Sequence, residues 1–163
     1  MPDVVPLIVN DHIEALAPVA ERAGLGVHLG QDDLPPQHAR LRFGDEVCIG
    51  WSTHNLEQVE QVPAVGADYI GFGPIYATDS KKDPDPQTGI AGLAAAVAAS
   101  PVPVVAIGGL DEDGVTEVAA AGAHAAAVIS AWLGDDGAPN GPNFARMAMQ
   151  DLVAAWKAGA KRS

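Results

Sequence analysis

The stretch Ala67–Asp83, ADYIGFGPIYATDSKKD, joins a short apolar run to a basic loop. The run Tyr69–Phe72 has the length and composition of a buried strand. The loop that follows carries two hydroxyl groups and two ammonium groups, on Thr78, Ser80, Lys81 and Lys82. Hydroxyls give directional hydrogen bonds and lysine supplies a compact positive charge, so the loop is suited to binding an anion. A solvated polar turn is the alternative interpretation.

Similar apolar runs recur along the rest of the chain, with helix-length segments between them. The predicted strands are Val5–Val9, Gly26–Leu29, Val47–Trp51, Tyr69–Phe72, Val104–Ile107 and Ala125–Ile129. The predicted helices are Ile13–Ala23, Pro36–Arg42, Leu56–Val65, Ile90–Ala99, Glu112–Ala121 and Asn143–Ala158. Strands without alternation, separated by helices, predict a parallel sheet covered by helices. We therefore predict one α/β domain of about six β-α units over residues 1–163, with a frayed tail at residues 158–163.

Composition and charge limit the partners of this chain. The net charge of −12 repels phosphate backbones and anionic lipids, which argues against binding to nucleic acids or membrane surfaces. The single cysteine, Cys48, lies between Val47 and Ile49, so we predict a buried thiol. The sequence shows no signal peptide and no apolar run of membrane-spanning length, and we expect a cytoplasmic protein.

Polar and glycine residues follow every predicted strand. They are Asn10-Asp11, Gly30–Asp33, Ser52–His54, the basic loop, Gly108-Gly109 and Ser130. The carboxyl ends of parallel strands meet at one edge, where α/β barrels and open α/β sheets both bind their ligands. This repeated pattern predicts a binding site built from several strand ends.

Two carboxylates, Asp11 and Asp33, fall on adjacent strand ends of this predicted edge. Their oxygens can hold Mg²⁺, with phosphate oxygens or waters completing the coordination. Helix capping is an equally reasonable interpretation, because both residues precede predicted helices. Asp32 is an alternative to Asp33 as the second carboxylate.

The later strand ends predict a phosphate site and a hydrogen-bonding serine. Gly108-Gly109 allows close approach of a ligand to the backbone, and together with Ser130 it matches the phosphate site at the last two strands of a (β/α)₈ barrel. Ser52 is interpreted as a hydrogen-bond donor to a ligand. A nucleophile-base pair of Ser52 and His54 lacks an orienting third group, so His54 is interpreted as structural.

Taken together, these segments resemble the thiamine-phosphate synthase family. The segments that carry the resemblance are VPLIVND, GVHLGQDDLP, IGWSTHN, ADYIGFGPIYATDSKKD, VPVVAIGG and AAVISAW, in that order from about Val5 to Leu133. The resemblance implies a TIM-barrel-like fold. It also implies a Mg²⁺-dependent enzyme that joins hydroxymethylpyrimidine diphosphate to hydroxyethylthiazole phosphate and releases pyrophosphate.

The resemblance also assigns roles to individual residues. It implies that Asp11 and Asp33 bind Mg²⁺, that Asn10 contacts the diphosphate or the pyrimidine, and that Ser52 contacts pyrophosphate. The family's Thr-x-Thr-Lys loop corresponds to Thr78-Asp79-Ser80-Lys81, with serine in place of the second threonine. The thiazole phosphate is expected at Gly109, Ile129 and Ser130. Ser52 and Lys81 are the implied catalytic residues.

The chain also departs from the family pattern. Family members have two further β-α units before the VND strand, and their Gln-x-Arg-x-Lys motif is absent here. We therefore expect open edges at the first and sixth strands, covered by a second copy in a homodimer or by another partner. Without the missing cationic contacts we expect much weaker catalysis, unless other groups replace them.

Two other functions remain open from the sequence. A thiazole tautomerase of the same superfamily has a similar loop, and His54 would then act as general acid and base. The intact ND and GQDD segments argue against it, because such an isomerase needs no Mg²⁺ pair. A non-catalytic protein that binds a phosphorylated ligand is the other alternative, favoured by the missing Arg and Lys.

Overall fold

A parallel sheet is the centre of the fold. The computed structural model describes residues 7–10, 25–78, 80, 85–133 and 141–161, and these ranges contain six strands. The strands are β1 (Leu7–Asn10), β2 (Leu25–Leu29), β3 (Cys48–Thr53), β4 (Tyr69–Phe72), β5 (Val104–Ile107) and β6 (Ala125–Ala127). They form one sheet in this order, and every neighbouring pair is parallel. The sheet curves into a half-barrel, which confirms the predicted TIM-barrel-like α/β class.

Helices follow the strands as the sequence predicts. They are α1 (Pro36–Phe43), α2 (Leu56–Val65), α3 (Gly89–Ala99), α4 (Glu112–Ala120) and α5 (Gly141–Gly159). The predicted helix Ile13–Ala23 lies outside the described residues. Asn55 begins α2 by accepting a hydrogen bond from the Gln58 amide at 2.9 Å, and Gly66 ends it with a φ of 72°.

The last helix, α5, packs against α4 and closes the described part of the chain. Leu152 and Ala155 are buried in this contact, and Thr116 of α4 donates to the Ala155 carbonyl at 3.3 Å. The helix continues to Gly159, while fraying of the residues beyond stays a prediction. Within the described ranges none of the helices could serve as a membrane span.

Four strands differ from their predicted limits. Two of them differ little: β2 begins at Leu25 instead of Gly26, and β3 runs from Cys48 to Thr53 instead of from Val47 to Trp51. The first strand continues to Asn10, so this side chain belongs to the strand end itself, while residues 5–6 lie outside the described ranges. The sixth was predicted to run to Ile129 but ends at Ala127, because Ala127 pairs with Ile107, the last residue of β5. Beyond it the chain turns into a short 3₁₀ helix, Ser130–Trp132.

The two faces of the sheet carry different side chains, because successive strand residues point to opposite sides. The helix face carries apolar residues that are at most 1% exposed: Val27, Leu29, Ile49, Ile70, Phe72 and Val104. The other face, which we call the concave face, carries Gly26, His28, Gly50, Ser52, Tyr69 and Gly71. The prediction of a buried thiol is wrong, because Cys48 belongs to the concave face and is only half-buried.

An ion-pair cluster closes the amino end of the sheet. The Arg40 guanidinium binds the Asp68 carboxylate at 2.6 Å and donates to the Val47 carbonyl at 2.8 Å. The same Asp68 oxygen accepts the Ile49 amide at 2.7 Å. This cluster joins α1 to β3 and to the start of β4, so the amino end of the sheet serves stability.

The sheet has open edges in the described part of the chain. β1 pairs only with β2, and β6 pairs only with β5. Leu7 of β1 is 62% exposed, and Ala125 and Ala127 of β6 are exposed as well. Edge strands leave a row of backbone groups without a ladder partner. The open edges expected from the sequence are therefore present in these ranges.

Candidate active site

A cavity of about 480 Å³ lies on the concave face and extends to the carboxyl ends of the strands. Its wall brings together seven of the predicted site residues: Asn10, Ser52, Thr78, Ser80, Gly109, Ile129 and Ser130. They come from β1, β3, the loop after β4, the loop after β5 and the start of the 3₁₀ helix. The convergence of strand ends expected from the sequence is therefore observed for these residues.

Of the other three predicted residues, Asp33 alone is described, and it does not line the cavity. Asp11 and Lys81 lie outside the described residues, as does Lys82. Asp33 is described, but its carboxylate turns to the backbone, where Oδ2 accepts the Gly30 amide at 2.5 Å. It closes the turn after β2 and does not cap a helix, because α1 begins at Pro36, has Pro35 as its N-cap residue and receives no side-chain cap. The capping interpretation is therefore wrong for Asp33.

The predicted Mg²⁺ site can be compared with the donors present. Asp33 offers a carboxylate fixed through Oδ2, and its other oxygen is the type of ligand that Mg²⁺ prefers. Among the described residues, no three His, Cys, Asp or Glu side chains form a group that could hold a metal ion. A site built from Asp33 fits a cation only with further oxygens, such as those expected from Asp11 and a phosphate.

Ser52 belongs to a hydrogen-bonded chain on the concave face. Its Oγ lies 2.9 Å from His28 Nε2, and His28 Nδ1 lies 3.0 Å from the Tyr69 hydroxyl oxygen. Burial raises the pKa of Tyr69 to about 12, with a smaller contribution from the Cys48 charge. Neither His28 nor Tyr69 was identified from the sequence as a site residue.

The register of the sheet explains how these side chains meet. His28 is opposite Gly50 on the next strand, and Gly50 is opposite Tyr69 on the one after. Gly50 has no side chain, so the Tyr69 ring crosses over it to reach His28. A Cβ on Gly50 would lie 2.5 Å from His28 Nδ1 and would clash with the tyrosine ring. The signal for this contact is a glycine, Gly50, paired with a polar residue on each neighbouring strand. This signal can be seen only once the strand pairing is known.

Two amide side chains fix the end of β3. Gln31 donates from Nε2 to the Ser52 carbonyl at 2.5 Å, and Gln58 donates to Gln31 Oε1 at 3.0 Å. Gln58 Oε1 also accepts the His54 amide at 2.6 Å. The backbone on both sides of Thr53 is thus held in place, which positions the Ser52 side chain.

His54 is held by backbone, as its structural interpretation requires. Its Nδ1 donates to the Gly73 carbonyl at 2.6 Å, and its Nε2 lies 3.4 Å from an Asp85 carboxylate oxygen. Both His54 and Asp85 line the cavity, and Asp85 was not identified from the sequence. The hydroxyl of Ser52 pairs with His28 rather than with His54, so the two residues form no nucleophile-base pair.

The loop after β4 is anchored at both of its ends. Ile75 donates to the Ile107 carbonyl at 2.9 Å, and Thr88 donates to the Pro74 carbonyl at 2.8 Å. Further along, the Ser80 amide donates to Thr78 Oγ1 at 3.3 Å. These contacts direct the two hydroxyl residues toward the cavity.

The glycine pair after β5 has a structural reason in addition to the one predicted. A Cβ on Gly108 would lie 2.5 Å from Pro74, and one on Gly109 would clash with Tyr76 and Ala77. The two glycines therefore admit the protein's own loop, in addition to leaving backbone at the cavity wall.

The start of α4 is already occupied by an acidic side chain. The Asp111 carboxylate accepts the Gly114 amide at 2.8 Å, and Glu112 and Asp113 follow in the first turn. This negative charge at the helix N-terminus opposes an anion there. The Gly114 N–H is therefore not available to a phosphate, which leaves Gly109 and Ser130 of the predicted phosphate site.

Positive charge is scarce around the cavity. Among the described residues of its wall there is no Lys or Arg, while Asp85 adds a carboxylate. A phosphorylated ligand would need hydroxyl donors here and cations supplied by residues beyond the described ranges. Lys81 and Lys82 of the basic loop are the cationic residues nearest in sequence to Thr78 and Ser80, which line the cavity.

Comparison with known proteins gives a consistent result. A family model described as thiamine monophosphate synthase matches residues 3–132. The chain is 49% identical to the thiamine-phosphate synthase of Anaeromyxobacter dehalogenans over 129 residues, covering 78% of this chain and 56% of the relative. It is 46% identical to that of Salinibacter ruber over 127 residues, covering 77% and 54%. The chain thus spans little more than half the length of these curated relatives.

A solved structure agrees with this similarity. The thiamine phosphate pyrophosphorylase from Pyrococcus furiosus superimposes with a TM-score of 0.71 at 30% identity. The match covers 91% of this chain and 69% of that structure. The half-barrel of six strands therefore matches the larger part of that enzyme's chain.

Proposed function

This chain belongs to the thiamine monophosphate synthase family, and we propose on that premise that it is a transferase of thiamine biosynthesis. In the proposed reaction, the bond between the pyrimidine methylene carbon and the diphosphate oxygen breaks. The thiazole nitrogen then bonds to that carbon, and the electron pair leaves with pyrophosphate. The products are thiamine phosphate and pyrophosphate.

The observation that carries the proposal is the cavity at the strand ends. It gathers hydroxyl groups from Ser52, Thr78, Ser80 and Ser130 around one space of about 480 Å³. That volume lies within the range of small-molecule sites. Hydroxyls contributed by several strand ends suit a reaction in which two substrates each carry phosphate.

Each group has a proposed task. Ser52 and Asn10 bind the diphosphate, and Thr78, Ser80 and Lys81 neutralise and hold the leaving pyrophosphate. The thiazole phosphate is bound by Gly109, Ile129 and Ser130. Because the substrate supplies both reacting atoms, the protein contributes positioning and electrostatic stabilisation.

Asp33, together with Asp11, would hold Mg²⁺ at the same edge. Bound there, the cation would neutralise diphosphate charge. The oxygen donors of the two carboxylates suit this ion. We further propose a cytoplasmic location, because the reaction uses phosphorylated intermediates.

The open edges of the half-barrel also belong to this proposal. We propose that β1 and β6 are covered by further polypeptide, either a second copy or another partner. The exposed Leu7 and the exposed alanines of β6 support it. Light scattering of the purified chain, before and after mixing with candidate partners, would test it.

The test of function is an assay for thiamine phosphate. The full chain, supplied with both phosphorylated substrates and Mg²⁺, should form product. Lys81→Ala should lower the rate by about 10²–10³-fold, as loss of a charge-stabilising donor does. Lys157→Ala is the matched control, because Lys157 is exposed on α5 and does not line the cavity.

Other outcomes would contradict the proposal. Binding of thiazole phosphate without turnover would identify a non-catalytic binder. Isomerisation of a thiazole that is lost in His54→Ala would identify a tautomerase.

A further inference from the structure

We propose that Tyr69 and His28 are positioning residues that orient the Ser52 hydroxyl hydrogen into the cavity, toward an anionic oxygen of the ligand. The inference rests on the proposed function in naming that ligand as a diphosphate. The inference goes beyond the proposed function because it assigns the donor and the acceptor of each hydrogen bond between Tyr69, His28 and Ser52.

The three side chains are held in one line across the concave face. His28 uses both ring nitrogens, Nδ1 toward the Tyr69 oxygen at 3.0 Å and Nε2 toward Ser52 Oγ at 2.9 Å. The tyrosine and histidine rings are 5.5 Å apart between centroids and tilted by 31°. These hydrogen bonds therefore connect the side chains of β4, β2 and β3.

Two glycines make room for the histidine ring. A Cβ on Gly50 would lie 2.5 Å from its Nδ1, and a Cβ on Gly71 would lie 3.1 Å from its Cε1. The ring is thus confined between β3 and β4. A confined ring cannot rotate away from Ser52 without displacing backbone.

The direction of the bonds follows from donor strength. A neutral imidazole has one N–H and one acceptor nitrogen, so the chain has two possible directions. Burial raises the pKa of Tyr69 to about 12, so its hydroxyl keeps its hydrogen at neutral pH. A phenol is a stronger donor than an alcohol, and an imidazole nitrogen is a stronger acceptor than a phenol oxygen. Tyr69 therefore donates to Nδ1, and His28 carries its hydrogen on Nε2.

The consequence for Ser52 is that it accepts from His28 and keeps its own hydrogen for the ligand. In a serine hydrolase the histidine takes the serine proton, which is the opposite direction. Here Ser52 is a preset donor to an anion and is not a nucleophile.

The direct test is ¹⁵N NMR of the histidine rings in the full chain, with His28 assigned from His28→Gln. We expect Nε2 to appear as the protonated nitrogen and Nδ1 as the acceptor. In Tyr69→Phe the signal should move toward a mixture of tautomers. A wild-type ring protonated on Nδ1 alone would overturn the proposal.

Binding of inorganic pyrophosphate with Mg²⁺ provides a second measurement. Tyr69→Phe should weaken it by about tenfold, as for a lost hydrogen bond to a charged group. In a Ser52→Ala background the same change should have no further effect. Tyr76→Phe is the matched control, because that hydroxyl bonds Glu117 of α4 and does not line the cavity.

The outcomes are separable from those of the synthase assay. Absence of turnover with the expected tautomer and binding would contradict the function alone. Unchanged binding in a folded Tyr69→Phe protein, or covalent labelling of Ser52 by a fluorophosphonate, would overturn the positioning role alone.

Discussion

The helix face and the concave face of the sheet are built from alternate residues of the same strands, yet they serve different purposes. On β3 and β4, Ile49 and Ile70 are fully buried under the helices. Their neighbours in sequence, Gly50 and Tyr69, lie on the concave face, where Tyr69 lines the cavity. The difference shows that core packing and cavity lining are separated by strand periodicity rather than by region of the sequence.

The largest effect is expected from a mutation that removes a buried side chain from the helix face. Ile70→Ala should lower the free energy of unfolding by about 2–5 kcal/mol, because the side chain is fully buried. Val105→Ala on the concave face is the control and should cost about 1 kcal/mol, because Val105 is only half-buried. Urea unfolding measures both, and equal losses would mean that the concave face also serves as core.

An added methyl group on the concave face should affect both properties. Gly50→Ala places a Cβ against the Tyr69 ring and His28, so we expect a loss of about 1–3 kcal/mol in unfolding free energy. Pyrophosphate binding should fall with it, because the Ser52 contact depends on these rings. Gly92→Ala in α3, whose nearest contact is 3.3 Å from Thr88, should remain within about 1 kcal/mol of the wild type. A neutral Gly50→Ala would indicate that the rings can shift freely.

The two tyrosines allow the concave face, with Tyr69, to be compared by pH with the contact between Tyr76 and Glu117 of α4. Burial is the main cause that raises the pKa of both Tyr69 and Tyr76 to about 12. Because the neutral phenol is favoured in the folded state, this stabilisation is complete below the ordinary value of about 10 and is lost as the pH rises toward 12. Absorbance titration at high pH should show late ionisation, and in Tyr69→Phe one late phenol should remain. Ionisation of either tyrosine near its ordinary value would contradict this.

The smallest expected change in stability is at the turn after β2. Asp33→Asn keeps an oxygen that can accept the Gly30 amide, so unfolding should change by no more than about 0.5 kcal/mol. If Asp33 binds Mg²⁺, the metal concentration needed for half-maximal product formation should rise. A large loss of stability with unchanged Mg²⁺ dependence would assign Asp33 to the turn alone.

The sequence predicted the fold because the helix face leaves a strong pattern. Apolar runs such as Tyr69–Phe72 and Val104–Ile107 were predicted to the residue. The error at Ala125–Ile129 arose because the end of β6 depends on the length of its partner, β5. A strand limit of this kind is a tertiary property and leaves no local signal.

The site was predicted only in part, for related physical reasons. The strand-end hydroxyls followed from the parallel sheet, but the contact of His28 with Tyr69 depends on register across three strands. Gly109 lines the cavity as predicted, yet it also accommodates the protein's own backbone, which only coordinates could reveal. Sequence motifs identified residues of the cavity wall, but not the groups that hold this wall in place.

The anchoring of the loop after β4 has a practical consequence. Ile75 and Tyr76 extend the hydrogen bonding of β5, through the Ile107 and Gly108 carbonyls, while Thr88 and Gly89 return to the Pro74 and Ile75 carbonyls at the far end. Both ends of the loop are therefore held by backbone hydrogen bonds. The sheet does not fix the length of the loop between these two ends. The segment between these anchors can therefore be exchanged without rebuilding the sheet, which opens the proposed ligand contacts of this loop to engineering.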